Sequence, residues 1–185
     1  MLQRARGLEG VAWVPVAVAC ALLLLRGDLV LRGRASPGTL LALYTGLAVV
    51  SLVPVARTQS ERVVPWMVAV ATGLGAVVVA RAASGISMPW PVTTWALPLA
   101  TAAAVAEEAF FRRLLYDRLE RFGAGVAIAV SAVAFAAAHV PLYGDAAFWV
   151  DLGAGLLFGW QRWASGTWTA PAATHGAANF LAVLQ

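Results

Sequence analysis

Long apolar stretches separated by short polar breaks form the dominant pattern of the chain. Seven such runs can be delimited, at residues 10–25, 39–56, 63–80, 92–113, 124–141, 146–163 and 167–184. Most approach the ~20 residues that a helix needs to cross a bilayer, and turn-forming Pro, Gly and Ser lie between them. The pattern predicts an all-α fold, a polytopic membrane helix bundle with about seven transmembrane helices.

Composition supports a membrane protein. The chain is 61% hydrophobic and only 12% charged, whereas soluble domains are nearer half apolar and a quarter charged. No repeat or flexible linker separates the apolar runs, so we expect a single membrane-embedded domain over residues 1–185. The lone Cys20 excludes a disulfide framework and a cysteine-based zinc site.

All 13 basic residues are arginines that lie between apolar runs rather than in one patch, so no nucleic-acid partner is expected. Connections on the side of the N-terminus hold nine of them: Arg4, Arg6, Arg57, Arg62, Arg112, Arg113, Arg118, Arg121 and Arg162. The other side holds four: Arg26, Arg32, Arg34 and Arg81. Positive-inside bias therefore predicts a cytoplasmic N-terminus and an outside C-terminus. The sequence carries no signal of oligomeric state.

Two adjacent carboxylates, Glu107 and Glu108, end a stretch that is free of charge from residue 82 to residue 106. An ionised carboxylate at membrane depth costs at least about 3 kcal/mol, so such a residue is a functional candidate by default. Glu108 and Arg112 are four residues apart and can pair along a helix. Glu107 points about 100° away, so it is available to a different partner.

Depth counting indicates that partner. Glu107 lies 16 positions before Gly123, the expected turn, and His139 lies 16 positions after it. In an antiparallel helical hairpin both residues would stand about 24 Å from the turn. The spacing therefore places Glu107 beside His139.

The last apolar run carries His175 and, one turn later, Asn179. His175 is expected about 12 Å inside the membrane, and Glu107 about 9 Å from Arg113, so their depths agree. Alanine and glycine neighbours of these polar residues permit close helix approach. A lone membrane histidine is more often a bridge between helices than a catalyst. Two histidines, a carboxylate and an amide at one depth favour a site.

Such a group favours hydrolysis. Glu107 and His139 can take a proton from water, and His175 and Asn179 can donate hydrogen bonds to an oxyanion. No serine or cysteine accompanies a histidine, so a covalent nucleophile is disfavoured. Zinc held by Glu107, His139 and His175 stays open as an alternative, since two histidines and a carboxylate form a known catalytic ligand set.

Three further features have simpler interpretations. Asp151, near the outer end of its run, favours a structural or hydrogen-bonding role. Gly155-x-x-x-Gly159 indicates a helix-packing seam. Phe135 precedes His139 by one turn, and either belongs to the core or orients that ring.

Three motifs follow one another on successive apolar runs: Glu107-Glu108-x-x-x-Arg112, Phe135-x-x-x-His139 and His175-x-x-x-Asn179. In this order they resemble the CAAX prenyl endopeptidase and bacteriocin-processing (CPBP, or Abi) family of intramembrane proteases. The resemblance covers residues 92–185 as the catalytic core, whereas residues 1–85 are merely compatible with it.

That resemblance implies an endopeptidase acting on a membrane-associated or lipidated peptide. Glu107 and His139 would activate water, His175 and Asn179 would form the oxyanion hole, and Glu108 and Arg112 would support the site. Family members are described both as metalloproteases and as glutamate-dependent enzymes. The short chain, rich in alanine and arginine, is typical of a bacterial plasma-membrane protein.

Two other functions compete with proteolysis. The first is a non-catalytic membrane immunity or scaffold protein that retains the fold and uses the site only for binding. The second is a small transporter or proton relay, which the absence of inverted repeats in the sequence disfavours. Intact biological activity in a Glu107→Ala protein would favour the immunity or scaffold function.

Overall fold

The computed structural model describes residues 2–54, 63–84 and 93–184. All regular structure in these ranges is helical: α1 (Leu2–Leu31), α2 (Pro37–Ser51), α3 (Trp66–Ser84), α4 (Ala96–Glu108), α5 (Tyr116–Leu119), α6 (Ala124–Tyr143), α7 (Ala147–Ser165) and α8 (Thr169–Val183). A π-helical segment, Ala109–Leu115, joins α4 to α5, and a 3-10 turn, Glu120–Phe122, follows. The segment from α4 to Phe122 is thus continuously helical. The described residues form seven helical segments, which confirms the all-α bundle; positions 55, 56 and 92 of the predicted runs lie outside them.

Local sequence accounts for several helix ends. Ser36 Oγ accepts a hydrogen bond from the Thr39 backbone N–H at 3.1 Å, and Pro37 occupies the first turn of α2. Gly123 has a φ of 104°, a conformation that side chains rarely tolerate, and it separates the 3-10 turn from α6. The hairpin that the depth count assumed is therefore present.

The first predicted run was too short. The pattern predicts an end at Leu25, before the charge of Arg26, but α1 continues to Leu31 and Arg26 is only 2% exposed. A buried arginine is tolerated where a carboxylate and carbonyls compensate its charge. Arg26 has both kinds of partner, a carboxylate on α4 and a carbonyl on α6.

Other arginines from the topology count are also structural. Arg112 and Arg162 are buried, and Arg113 donates to the Ser51, Leu52 and Val53 carbonyls at the end of α2. Arg113 therefore caps the C-terminal end of α2. Without Arg112, Arg113 and Arg162, the side of the N-terminus keeps six of its nine arginines. Without Arg26, the other side keeps three of its four. The direction of the bias is unchanged.

Helices α6 and α7 pack closely along the glycine seam. A Cβ added at Gly155 would lie 2.9 Å from Ala132 Cα, and one at Gly159 would lie 3.0 Å from Ile128 Cγ2. The distance at Gly155 is shorter than real Cβ contacts and the one at Gly159 is tighter than most, so glycine at both positions allows this close approach. The Gly155-x-x-x-Gly159 packing seam is confirmed.

Three of the described helices are long and apolar enough to span a membrane, over Trp13–Leu31, Trp66–Ala83 and Ala124–Tyr143. The shorter α2 is also apolar. Large apolar side chains such as Leu24, Met67 and Val79 are exposed on the outside of these helices. Charged residues such as Glu107, Glu108 and Arg112 are buried between helices. An apolar outer surface with charged residues buried between the helices is typical of an integral membrane protein.

Candidate active site

The acid pair sits where α4 changes into the π-helical segment. Glu108 ends α4, and the wider turn begins at Ala109. π-Helical turns are rare and are frequent at functional sites. The Arg112 carbonyl within this turn accepts a hydrogen bond from Arg162 Nε on α7 at 3.0 Å. The composition of the segment is ordinary for an α-helix, so the sequence did not predict this change.

The Glu107 carboxylate lies next to the rings of His139 and His175. Its Oε2 lies 3.5 Å from His139 Nε2 on α6 and 4.0 Å from His175 Nε2 on α8. All three side chains are buried, with Glu107 2% exposed. Small buried residues beside them, among them Ala103, Ala106 and Ala136, allow the helices to converge. The structure therefore places Glu107 beside His139, as depth counting predicts.

Glu108 contacts Arg112, as predicted, and also His175. Its Oε2 lies 3.4 Å from Arg112 Nε, and its Oε1 lies 3.0 Å from His175 Nδ1. Arg112 also donates from Nη2 to the Gly155 carbonyl on α7 at 3.1 Å. Glu108 therefore orients the His175 ring, a role that the spacing of the motif alone did not reveal.

The hydrogen bonds at Nδ1 fix what each histidine presents to Glu107. His139 Nδ1 lies 2.8 Å from the Phe135 carbonyl oxygen, which can only accept, so Nδ1 is the donor. His175 Nδ1 likewise faces a carboxylate oxygen. In the neutral rings, both Nε2 atoms are then acceptors that face a third acceptor, Glu107 Oε2. Three acceptors around one point suit a ligand that donates protons, such as water.

Aromatic rings surround this point. The Phe135 ring centroid lies 4.4 Å from that of His139 and 5.7 Å from that of His175. Phe158 on α7 stacks on His175 with centroids 5.2 Å apart and planes inclined by 21°. Phe135 is therefore both a core residue and a contact of both histidine rings. Sequence reasoning missed Phe158, whose position on α7, two turns after Asp151, carried no motif.

Asn179 and Asp151 lie at the edge of the group. Asn179 donates from Nδ2 to the Ala100 carbonyl on α4 at 3.1 Å, two turns before Glu107. One amide hydrogen is thus used, and the second is available to a ligand. Asp151 is half-buried within electrostatic range of His139, and its Oδ2 has no hydrogen-bond partner among the described residues. Its structural role stays a prediction.

The residue that sequence reasoning missed most clearly is Arg26. Its Nη1 donates to Glu107 Oε1, and its Nη2 donates to the Ala138 carbonyl at 3.1 Å. The neighbouring Gly27 packs against α6, where a Cβ added at Gly27 would lie 3.7 Å from the Cβ of Pro141. The available signal was an arginine between two apolar segments, residues 21–25 and 29–31.

The donor types would suit zinc, since two imidazole nitrogens and a carboxylate oxygen face one another. However, within residues 2–54, 63–84 and 93–184 no group of three or more His, Cys, Asp or Glu side chains is arranged to hold a metal ion. The Arg26 guanidinium, which pairs with Glu107, carries a positive charge that would repel a divalent cation. Zinc held by Glu107, His139 and His175 stays a prediction, and no step is derived through a metal.

A family model for type II CAAX prenyl endopeptidases, described as Rce1-like, matches residues 89–181. No significant match was found among curated proteins or among solved structures. The matched segment holds Glu107, Glu108, Arg112, Phe135, His139, His175 and Asn179, and it excludes Arg26. The match agrees with the three motifs and with the membrane-protein character of the bundle. The chain belongs to the Rce1-like family of type II CAAX prenyl endopeptidases, and it is an integral membrane protein.

Proposed function

We propose that this protein is an intramembrane endopeptidase that uses Glu107 and His139 to activate water against a peptide bond. The observation that carries the proposal is the position of Glu107 Oε2 between the Nε2 atoms of His139 and His175. Glu107 Oε2 accepts hydrogen bonds, and so does His139 Nε2 when its ring is neutral. A water molecule donating to Glu107 and His139 would have a lone pair free for a carbonyl carbon.

In the first step the water oxygen attacks the scissile carbonyl while its proton passes to Glu107 Oε2. The carbonyl oxygen becomes an oxyanion, for which His175 and Asn179 are the proposed donors. An imidazolium at His175 would donate from Nε2 while Glu108 holds its Nδ1. The free Asn179 amide hydrogen provides the second donor; one such donor contributes about 3–4 kcal/mol. In the second step the C–N bond breaks and Glu107 returns the proton to the leaving nitrogen.

The proposed substrate is a membrane-associated, lipidated peptide. Membership of a CAAX prenyl endopeptidase family favours CAAX-type over bacteriocin-type processing. The exposed apolar helix faces would hold lipid, and with it the lipid anchor of a substrate. Since Glu107 and His139 activate water without an ion, the proposed reaction needs no metal.

A cleavage assay with the detergent-purified protein tests this function. Prenylated and unmodified peptides of equal sequence are compared by mass spectrometry. Glu107→Gln, His139→Ala and His175→Ala should each lower cleavage by about 1,000-fold or more, as expected for residues acting as a unit. Asn179→Ala should lower kcat by about 100-fold or more with little change in KM.

Ser131→Ala is the matched control. Ser131 is buried in α6, and its hydroxyl donates only to the Ile128 carbonyl of the same helix. The variant should cleave as the wild type does, because the proposed reaction has no serine nucleophile. Full biological activity in the folded Glu107→Gln protein would refute the hydrolytic mechanism and favour the immunity or scaffold function.

A further inference from the structure

Among the described residues, Arg26 is a contact of Glu107 that comes from outside the family-matched segment. It lies on α1, 81 residues before Glu107, and is only 2% exposed. Its guanidinium carbon lies 5.9 Å from the centroid of the Tyr44 ring on α2. Two helices of the N-terminal part of the chain thus reach the group of proposed catalytic residues.

The two hydrogen bonds of Arg26 act on both members of the proposed water-activating pair. Nη1 occupies Glu107 Oε1, so Oε2 is the oxygen directed at the histidines. Nη2 binds the carbonyl of Ala138, the residue directly before His139. One planar guanidinium therefore fixes the rotation of the carboxylate and ties it to the backbone next to His139.

The charges of the site also depend on Arg26. Two carboxylates, Glu107 and Glu108, are each paired with one arginine, Arg26 and Arg112 respectively. Without Arg26 the buried Glu107 would lose its cation, and it would turn its free oxygen toward other donors or protonate. Either change removes the acceptor that the proposed reaction requires at Oε2.

We propose that Arg26 is a positioning residue that holds Glu107 Oε2 toward His139 and His175. This inference rests on the proposed hydrolytic function. Helix α1 would then contribute a residue to the site, in addition to packing against the later helices. A purely structural arginine would stabilise the bundle without changing the rate of the reaction in the folded protein.

The test compares Arg26→Gln, Arg26→Lys and Arg26→Ala in the peptide-cleavage assay, with thermal unfolding of each variant. Arg26→Gln should lower kcat about 100-fold, as expected for a displaced catalytic group, with KM changed by less than about threefold. Arg26→Lys keeps the charge but lacks the planar pair of donors, so its kcat should lie between those of Arg26→Gln and the wild type. Methylguanidinium added to Arg26→Ala should restore kcat by at least about tenfold, and should leave His139→Ala inactive.

Arg32→Gln is the matched control. Arg32 pairs with Asp28 on the same helix at 2.7 Å, but both side chains are at least half exposed. Loss of this exposed pair should leave kcat within about twofold of the wild type. The control separates the loss of an arginine on α1 from the loss of the contact with Glu107.

Several results would overturn the inference. The first is a kcat of Arg26→Gln within about twofold of the wild type, and the second is a change in that variant that is confined to KM. The third is a folded Arg26→Ala protein whose kcat methylguanidinium does not restore. If the Gln and Ala variants do not fold, Arg26→Lys decides: a folded protein with a kcat within about twofold of the wild type counts against the role, because lysine lacks the planar pair of donors. A wild-type protein that cleaves none of the peptides instead counts against the proposed function. The pairing is then tested by unfolding, where Arg26→Gln and Glu107→Gln should each lower the melting temperature more than the double variant does.

Discussion

Replacing Gly155 by alanine provides a test of how the helix seam supports the site. A Cβ at this position would lie 2.9 Å from Ala132 Cα and 3.0 Å from Ala132 Cβ, where 3.4–4 Å is ordinary contact. Helices α6 and α7 would have to separate by about 0.5–1 Å, and overpacking of this kind costs about 1–3 kcal/mol. The added methyl group also favours the helical state by about 0.5–1 kcal/mol, which hides part of that cost.

Gly153→Ala removes this ambiguity. Gly153 lies two residues earlier on α7, and a Cβ there would meet nothing within 4 Å. Both variants gain the same helix propensity, so their difference isolates the clash with Ala132. A difference of about 1–3 kcal/mol corresponds to a melting temperature about 2–12 °C lower for Gly155→Ala than for Gly153→Ala.

The same change should affect the site. The Gly155 carbonyl accepts a hydrogen bond from Arg112, and Ala132 lies one turn before Phe135 on α6. A displacement of about 1 Å at a catalytic group can cost about 100-fold in rate, so Gly155→Ala should lower peptide cleavage far more than Gly153→Ala does.

Tryptophan fluorescence during heating in detergent measures stability, and the peptide assay measures cleavage. Equal melting temperatures for the two alanine variants would refute the packing argument. Equal cleavage rates, with different melting temperatures, would show that the seam stabilises the bundle without positioning the site.

Three further predictions concern metal, buried charge and orientation. Cleavage should survive thorough chelation, and activity that is lost with chelator and restored by added zinc would contradict the metal-free reaction. Arg162→Met leaves Asp117, its partner at 2.6 Å, buried and without this arginine, and should destabilise the protein by about 3–5 kcal/mol; unfolding that matches the wild type would contradict this. With Cys20 replaced by alanine, a membrane-impermeant thiol reagent added outside intact cells should label Arg34→Cys and leave Arg121→Cys unlabelled, and the reverse pattern would place the N-terminus outside.

Local sequence accounted for most of the fold because apolar run length and turn residues are properties of short segments. The hairpin at Gly123 follows from a glycine between two apolar runs, and the positive φ that this residue adopts explains why the turn is tight. The contact between Glu107 and His139 followed from counting residues along two straight helices. Such counting works because helical rise is nearly constant.

The errors have a common physical origin in long-range compensation of charge. The sequence pattern places Arg26 and Arg113 in connections between helices, since a charged side chain in an apolar run is costly without a partner. Their partners, Glu107 and the carbonyls at the end of α2, lie more than 50 residues away along the chain. No local pattern indicates that such a partner exists.

The sequence by itself determined that this chain is a bundle of membrane helices, and that an acid pair, two histidines and an asparagine lie at similar depth within it. Apolar length, helical rise and residue spacing suffice for those conclusions. Only the tertiary structure decided that Glu107 is shared between Arg26 and the histidines, that Glu108 orients His175, and that Phe158 stacks on that ring. These contacts depend on how the helices rotate and approach one another, which the packing of small residues across distant helices sets.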